Sequence, residues 1–135
     1  MRYLAIDYGR KYTGLAICDP SETLVSPLMV IQGQKERLKK ISDTVRDENV
    51  EAIVLGLPLN MDNSVGFQAN LVLKFAEQLK KHTDVPIYFQ DERLSSFGAK
   101  EKMVSAGFTR KKKKKRLDAI AAAEILEAFI EQKNV

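Results

Sequence analysis

A mixed α/β fold, one five-stranded sheet in the order βββαβαβα with helices packed on it, is predicted by three features of the chain. The first is a pair of apolar, β-prone runs around a short glycine-containing turn: Tyr3-Leu4-Ala5-Ile6-Asp7-Tyr8-Gly9-Arg10, then Lys11-Tyr12-Thr13-Gly14-Leu15-Ala16-Ile17-Cys18. That pattern is a β-hairpin. The second is Ala52-Ile53-Val54-Leu55-Gly56, a continuous apolar run between helical segments, as in a parallel strand buried on both faces. The third is a long C-terminal stretch with helical periodicity.

The remaining elements follow in order. Val25 to Ile31 reads as a third strand, and Pro27, which cannot donate to a ladder, places it at an edge or a bulge. Glu36 to Asn49 carries Leu38, Ile41 and Val45 at spacings of three and four, a helix with one apolar stripe. Gly66 to Lys81 repeats that pattern with Leu71, Phe75 and Leu79. Pro86 to Gln90 is a further strand, and Ser96 to Ala106 a short helix ended by Gly107. The final helix is predicted over Leu117 to Gln132. Its solvent stripe is Glu124, Glu127 and Glu131, while Ala121, Ala122, Ile125 and Phe129 share a face with Asp118. Phe67 and Phe97 are expected in the core. At 135 residues, without repeats or linkers, the chain is expected to form a single domain over 1–135.

Composition narrows the function. Hydrophobic residues make up 44% and charged residues 30%, the balance of a soluble globular protein. No apolar stretch approaches the roughly 18–20 residues of a membrane span, and the N-terminus runs straight into a strand without the layout of a signal peptide. A cytoplasmic location is expected. Cys18 is the one cysteine, so no intramolecular disulfide can form, and its apolar surroundings mark it as core filler. His82 is the one histidine, at a helix end. A metal site would therefore be built from carboxylates, which favours Mg²⁺ or Mn²⁺ over Zn²⁺.

Charge is concentrated. Arg110, Lys111, Lys112, Lys113, Lys114, Lys115 and Arg116 are consecutive. Taking these seven charges from the net +4 leaves −3 for the remainder. Such a block repels itself and is expected to be a mobile loop, one that grips a polyanion by counterion release.

Ligands of open α/β sheets sit beyond the carboxyl ends of the strands, and acids gather there. Asp7 ends the first strand, and Asp91-Glu92 follows the strand through Gln90. Asp118 is expected near the start of the last helix, where an acid could also serve the helix dipole. Adjacent residues at a strand end point to opposite faces, so one of Asp91 and Glu92 enters the site. Asp19, ahead of Pro20, is a turn residue. The loop from Gly56 to Ser64 lies on the same rim, with Asn60 available for polar contacts and Asn63 or Ser64 as a cap of the following helix.

Four segments in this order, Ala5-Ile6-Asp7-Tyr8-Gly9 with Gly14-Leu15-Ala16, Gly56-Leu57-Pro58-Leu59-Asn60, Asp91-Glu92-Arg93-Leu94-Ser95, and Asp118-Ala119-Ile120-Ala121-Ala122-Ala123-Glu124-Ile125-Leu126, resemble the YqgF family. That family, also called RuvX, consists of pre-16S rRNA nucleases of the RNase H-like superfamily, related to the RuvC Holliday-junction resolvases. The resemblance runs from Arg2 to about Gln132. It implies an RNase H-like fold and a catalytic set of Asp7, Glu92 and Asp118 holding Mg²⁺ or Mn²⁺ for phosphodiester hydrolysis. Arg10, Lys11, Asn60, Arg93 and the Arg110–Arg116 run would contact nucleic acid, Arg93 alternatively orienting a neighbouring carboxylate.

The implied substrate is structured RNA, trimmed at the 5′ end of pre-16S rRNA by a monomer or homodimer. The alternatives are a junction-cutting DNA nuclease and a non-catalytic RNA-binding assembly factor. One departure stands out. RuvC-type resolvases carry two acids one turn apart on the last helix, whereas Lys115 and Ala121 flank Asp118 at that spacing.

Overall fold

The computed structural model describes residues 1–94 and 110–134. Three strands, β1 (Tyr3–Asp7), β2 (Tyr12–Cys18) and β3 (Val25–Gln32), form an antiparallel meander. Strands β4 (Ala52–Leu57) and β5 (Ile87–Asp91) run parallel to β1, giving the order β3-β2-β1-β4-β5. Helices α1 (Arg37–Asp47) and α2 (Phe67–Lys80) connect the later strands, and α3 (Arg110–Lys133) closes the chain. The predicted sheet and its element order are observed. Pro27 occupies both places expected of it. Strand β3 is an edge, and its register slips between the Leu15–Met29 and Ala16–Pro27 pairs.

Alternation along β1 sorts its side chains to two faces. Leu4 and Ile6 pack with Ile41 and Val45 of α1 and with Val72, Phe75 and Leu79 of α2. Tyr3 and Ala5 face the other way, with Ala122, Ile125, Leu126 and Ile130 of α3. The α1/α2 face is built from large aliphatic side chains, each worth about 1.5–3 kcal/mol when buried. The α3 face is lined by small ones, Ala5, Ala16 and Ala52, which lets the helix approach the sheet closely. At Gly14 the approach reaches the backbone. A Cβ there would lie 1.9 Å from the Asp118 carbonyl oxygen and 2.7 Å from the Ala119 nitrogen.

Three expectations are corrected. The basic run is helical, since α3 begins at Arg110. Lys and Arg are good helix formers, and the segment packed on the sheet supplies the costly nucleus from which the helix extends upstream. At 3.6 residues per turn, consecutive charges also spread around the axis. Asp118 thus sits eight residues into α3, beyond the first turn where the helix dipole favours an acid. Helix α2 has Gly66 as its N-cap with no side-chain cap, so neither Asn63 nor Ser64 performs that role. Phe67 is 65% exposed rather than buried, because α2 begins as the chain leaves the rim of the sheet and its buried stripe starts at Ala69. The helix expected over Ser96 to Ala106, with Phe97, lies outside the described residues.

Asp19 organises the β2–β3 turn. Its carboxylate accepts hydrogen bonds from the Thr23 and Leu24 amides at 2.7 and 3.0 Å and from the Ser21 and Thr23 hydroxyls at 2.8 and 2.6 Å. These donors, the Thr23 hydroxyl foremost, hold its pKa below the usual carboxylate range. Because the folded value is depressed, the stabilisation is complete above the unfolded value of about 4 and is lost as pH falls below it.

Asp19→Asn should therefore lower Tm at pH 6, with the difference from wild type shrinking on acidification to pH 3. Thermal melts at both values test this, and an undiminished difference at pH 3 would exclude the charge as the cause. Gly14→Ala should destabilise by about 1–3 kcal/mol, the scale of overpacking. Urea denaturation measures it, and a variant as stable as wild type would mean that α3 is not seated on that glycine.

Candidate active site

Asp7 is the last residue of β1 and, by alternation with Tyr3 and Ala5, lies on the α3 face. Glu92 opens a 3-10 turn directly after β5. The two strands are separated by β4, yet the Asp7 and Glu92 carboxyl groups are hydrogen-bonded. Gly56 makes this possible. It stands one residue past the Ile6–Leu55 pair, and a Cβ there would be 2.7 Å from Glu92 Oε1 and 2.6 Å from Ile125 Cδ1. A larger residue would crowd the path along which Glu92 crosses to Asp7. Burial first, then the hydrogen bond and negative charge of Glu92, pushes the Asp7 carboxyl well above its ordinary value.

The pair opens into a cleft of about 320 Å³, lined also by Pro58, Leu59, Arg93, Ala121 and Ile125. Asp118 lines a separate depression of about 240 Å³, shared with Gly9, Arg10, Lys11 and Tyr12, and its backbone lies against Gly14, the register partner of Asp7. The three predicted acids therefore gather at one end of the sheet as a contacting pair with a neighbour. Among the described residues, no three Asp, Glu, His or Cys side chains form a complete metal-ligand group.

Asp91 and Glu92 turn to different partners. Asp91 turns away and is claimed by Arg93, whose Nε donates to both carboxylate oxygens at 3.0 and 2.9 Å. Arg93 foremost holds the Asp91 carboxyl below its usual range. Arg93 lines the cleft, and its Nη1 donates to the Asn60 and Met61 carbonyl oxygens at 3.0 and 3.3 Å. The guanidinium thus staples β5 to the β4–α2 loop. Within that loop the Asn60 amide donates to the Ser64 hydroxyl at 3.0 Å. Asn60, Arg10 and Lys11 are exposed on the rim. Arg110 to Arg116 form the first turns of α3, and their side chains lie outside the described part.

Arg37 escaped the sequence reading. It is buried at the start of α1 and donates to the Gly9 carbonyl at 2.9 Å, behind the turn that carries Arg10 and Lys11. Its spacing from Ile41 and Val45, four and eight residues, places it on the buried stripe of α1 and was the available signal.

Comparison with known proteins fits this geometry. A profile of the RuvX family, described as Holliday junction resolvase, matches residues 1–132. A protein of Anaeromyxobacter sp. (strain Fw109-5) named "Putative pre-16S rRNA nuclease" is 40% identical over 136 residues, covering 99% of both chains. One of the same name from Roseiflexus sp. (strain RS-1) is 37% identical over 135 residues, 98% of this chain and 96% of its own. Among solved structures, T. thermophilus RuvC in complex with Holliday junction substrate matches with a TM-score of 0.59 at 15% identity, over 98% of this chain and 96% of that one. Fowlpox virus resolvase with substrate Holliday junction DNA matches with a TM-score of 0.60 at 13% identity, over 98% and 99%. At such identities these likenesses establish the fold, the RNase H-like sheet of the resolvases. The profile and the full-length relatives go further, and on them the chain belongs to the RuvX (YqgF) family.

Proposed function

We propose that this protein is a cytoplasmic nuclease that trims the 5′ end of pre-16S rRNA, with Asp7, Glu92 and Asp118 as its catalytic acids. One observation carries the reading: two carboxylates, one at the end of β1 and one in the turn after β5, are pressed together in an open cleft. Such a pair is unfavourable on its own and gains most from a cation between its oxygens.

The donor set fits Mg²⁺ or Mn²⁺. Its oxygens are hard, and Mg²⁺ is typically held by one or two carboxylates with water and substrate phosphate completing the shell, so an incomplete protein cage suits it. Asp7 and Glu92 would hold the ion, with Asp118 contributing from α3. Bound there, it supplies acidification of water and neutralisation of the leaving oxygen. The chain's own side chains do the rest. Arg10 and Lys11 meet flanking phosphates on the Asp118 side, Arg93 keeps Asp91 out of the site, and Asn60 faces substrate from the opposite rim. The Arg110–Arg116 turns add a sequence-independent electrostatic grip.

A second reading, cleavage of branched DNA, draws on the resolvase description of the family and on the junction-bound structural neighbours. Lys115 and Ala121, where resolvases place a further acid, weigh against it.

Asp7→Asn should reduce metal-dependent cleavage of a pre-16S rRNA fragment by more than ~100-fold, the scale of losing a group the transition state depends on. It should leave Tm equal or higher, since a neutral amide is less costly than a carboxylate to bury beside Glu92. Both are read from end-labelled cleavage in Mg²⁺, Mn²⁺ and EDTA and from thermal melts. Near-normal cutting by the variant would make Asp7 structural, and cutting confined to a four-way DNA junction would select the second reading. Replacing Lys111 to Lys115 with Gln should weaken RNA binding and flatten the dependence of log Kd on log salt, by up to ~0.7 for each phosphate that the run neutralises in wild type. An unchanged slope would mean that the run does not touch phosphate.

A further inference from the structure

We propose that Arg37 is a positioning residue for nucleic-acid binding: from behind the sheet it fixes the Tyr8–Tyr12 turn so that Arg10 and Lys11 meet phosphate beside the acids. The proposal rests on the nuclease reading above and adds to it a residue outside every motif of the family resemblance.

Arg37 is 6% exposed. Its Nη1 donates to the Gly9 carbonyl oxygen at 2.9 Å and to Thr13 Oγ1 at 3.3 Å, and its Nη2 to the Tyr8 hydroxyl at 3.4 Å. The guanidinium carbon lies 4.5 Å from the Tyr8 ring centroid and 5.0 Å from that of Phe75. Among the described residues no carboxylate pairs with it, and its Nε is buried without a partner.

A buried cation with only neutral partners is costly. Packing alone would be better served by an aliphatic side chain, as at Ile41 and Val45 on the same stripe. All three acceptors of Arg37 lie on one short segment, residues 8 to 13. Thr13 reinforces the hold by donating to the same Gly9 carbonyl at 3.4 Å. From the β3 side the Gly33 amide donates to the Lys11 carbonyl at 2.7 Å. The turn is thus held at both ends while its two cationic side chains remain exposed. Holding the backbone before substrate arrives removes an ordering cost from binding, which is what a fixed pair of phosphate contacts requires. The guanidinium fork makes two divergent contacts that a lysine cannot reproduce.

The test is Arg37→Met in the full chain, with Thr13→Val as a second variant that removes the hydroxyl between Arg37 and Gly9. Binding of a fluorescein-labelled RNA stem-loop is followed by anisotropy in EDTA, and cleavage is followed separately in Mg²⁺. Both variants should raise Kd at least fivefold and raise KM with kcat within threefold of wild type. The Gly9 to Tyr12 amides should exchange hydrogen at least tenfold faster, and the Tm of Arg37→Met should not fall. A Kd within twofold of wild type in the folded variants overturns the proposal, as does a lower Tm with unchanged Kd, the mark of a purely structural residue. Should Arg37→Met fail to fold, Thr13→Val decides alone. Wild type that binds RNA while the variants bind equally well defeats only this proposal. Wild type that binds no RNA defeats the nuclease reading and this proposal together.

Discussion

The carboxylate pair depends on missing side chains. Asp7 ends the central strand β1, and each neighbouring strand carries a glycine at its level: Gly14 on β2, its register partner, and Gly56 on β4, one step past the Ile6–Leu55 pair. Gly14 lets the α3 backbone settle onto the sheet at Asp118, and Gly56 lets Glu92 cross a whole strand to reach Asp7. A Cβ at Gly14 would meet the Asp118 backbone, and one at Gly56 would press on the Glu92 and Ile125 side chains. The proximity that results is unfavourable between like charges and is sustained by the core beneath it.

The two faces of the sheet divide the work. The α1/α2 face holds the large aliphatic side chains and the Tyr8–Phe75 aromatic contact, with ring centroids 4.7 Å apart. The α3 face is lined by alanine and brings a helix backbone against the strands, with Phe129 meeting Tyr3 and Tyr88 at its far end. Because α3 is continuous from Arg110 to Lys133, the element that carries Asp118 also carries the densest positive charge. An anionic polymer held at those first turns would lie along the same helix as Asp118.

The acids of the sheet ends have different partners. Asp91 is paired by Arg93, and Asp19 is satisfied by four donors of its own turn. Asp7 and Glu92 face each other, and Arg10 and Lys11 are exposed on the rim. This separation of acids within from bases on the rim suits a ligand that brings its own negative charge together with a small cation.

Much of the architecture was legible in the residues themselves. Alternating and helical hydrophobic periods are local, so they gave the hairpin, the buried β4 run and the helices α1 and α2; Pro27, lacking a donor, named its own edge and bulge. The sequence also marked Asp7, Glu92 and Asp118 as candidates, because acids at strand ends and a family resemblance both point there. It misjudged Arg110–Arg116 because self-repulsion is counted locally, while the helical nucleus is supplied by downstream packing on the sheet. Phe67 was misplaced because periodicity says which residues share a stripe and not where the stripe leaves the sheet. Only tertiary structure set Glu92 against Asp7 while Arg93 took Asp91, seated Asp118 on Gly14 and put the buried Arg37 behind the Gly9 turn. Each of these depends on which side chains meet across strands and faces, and such meetings are fixed by register and by the space two glycines leave open.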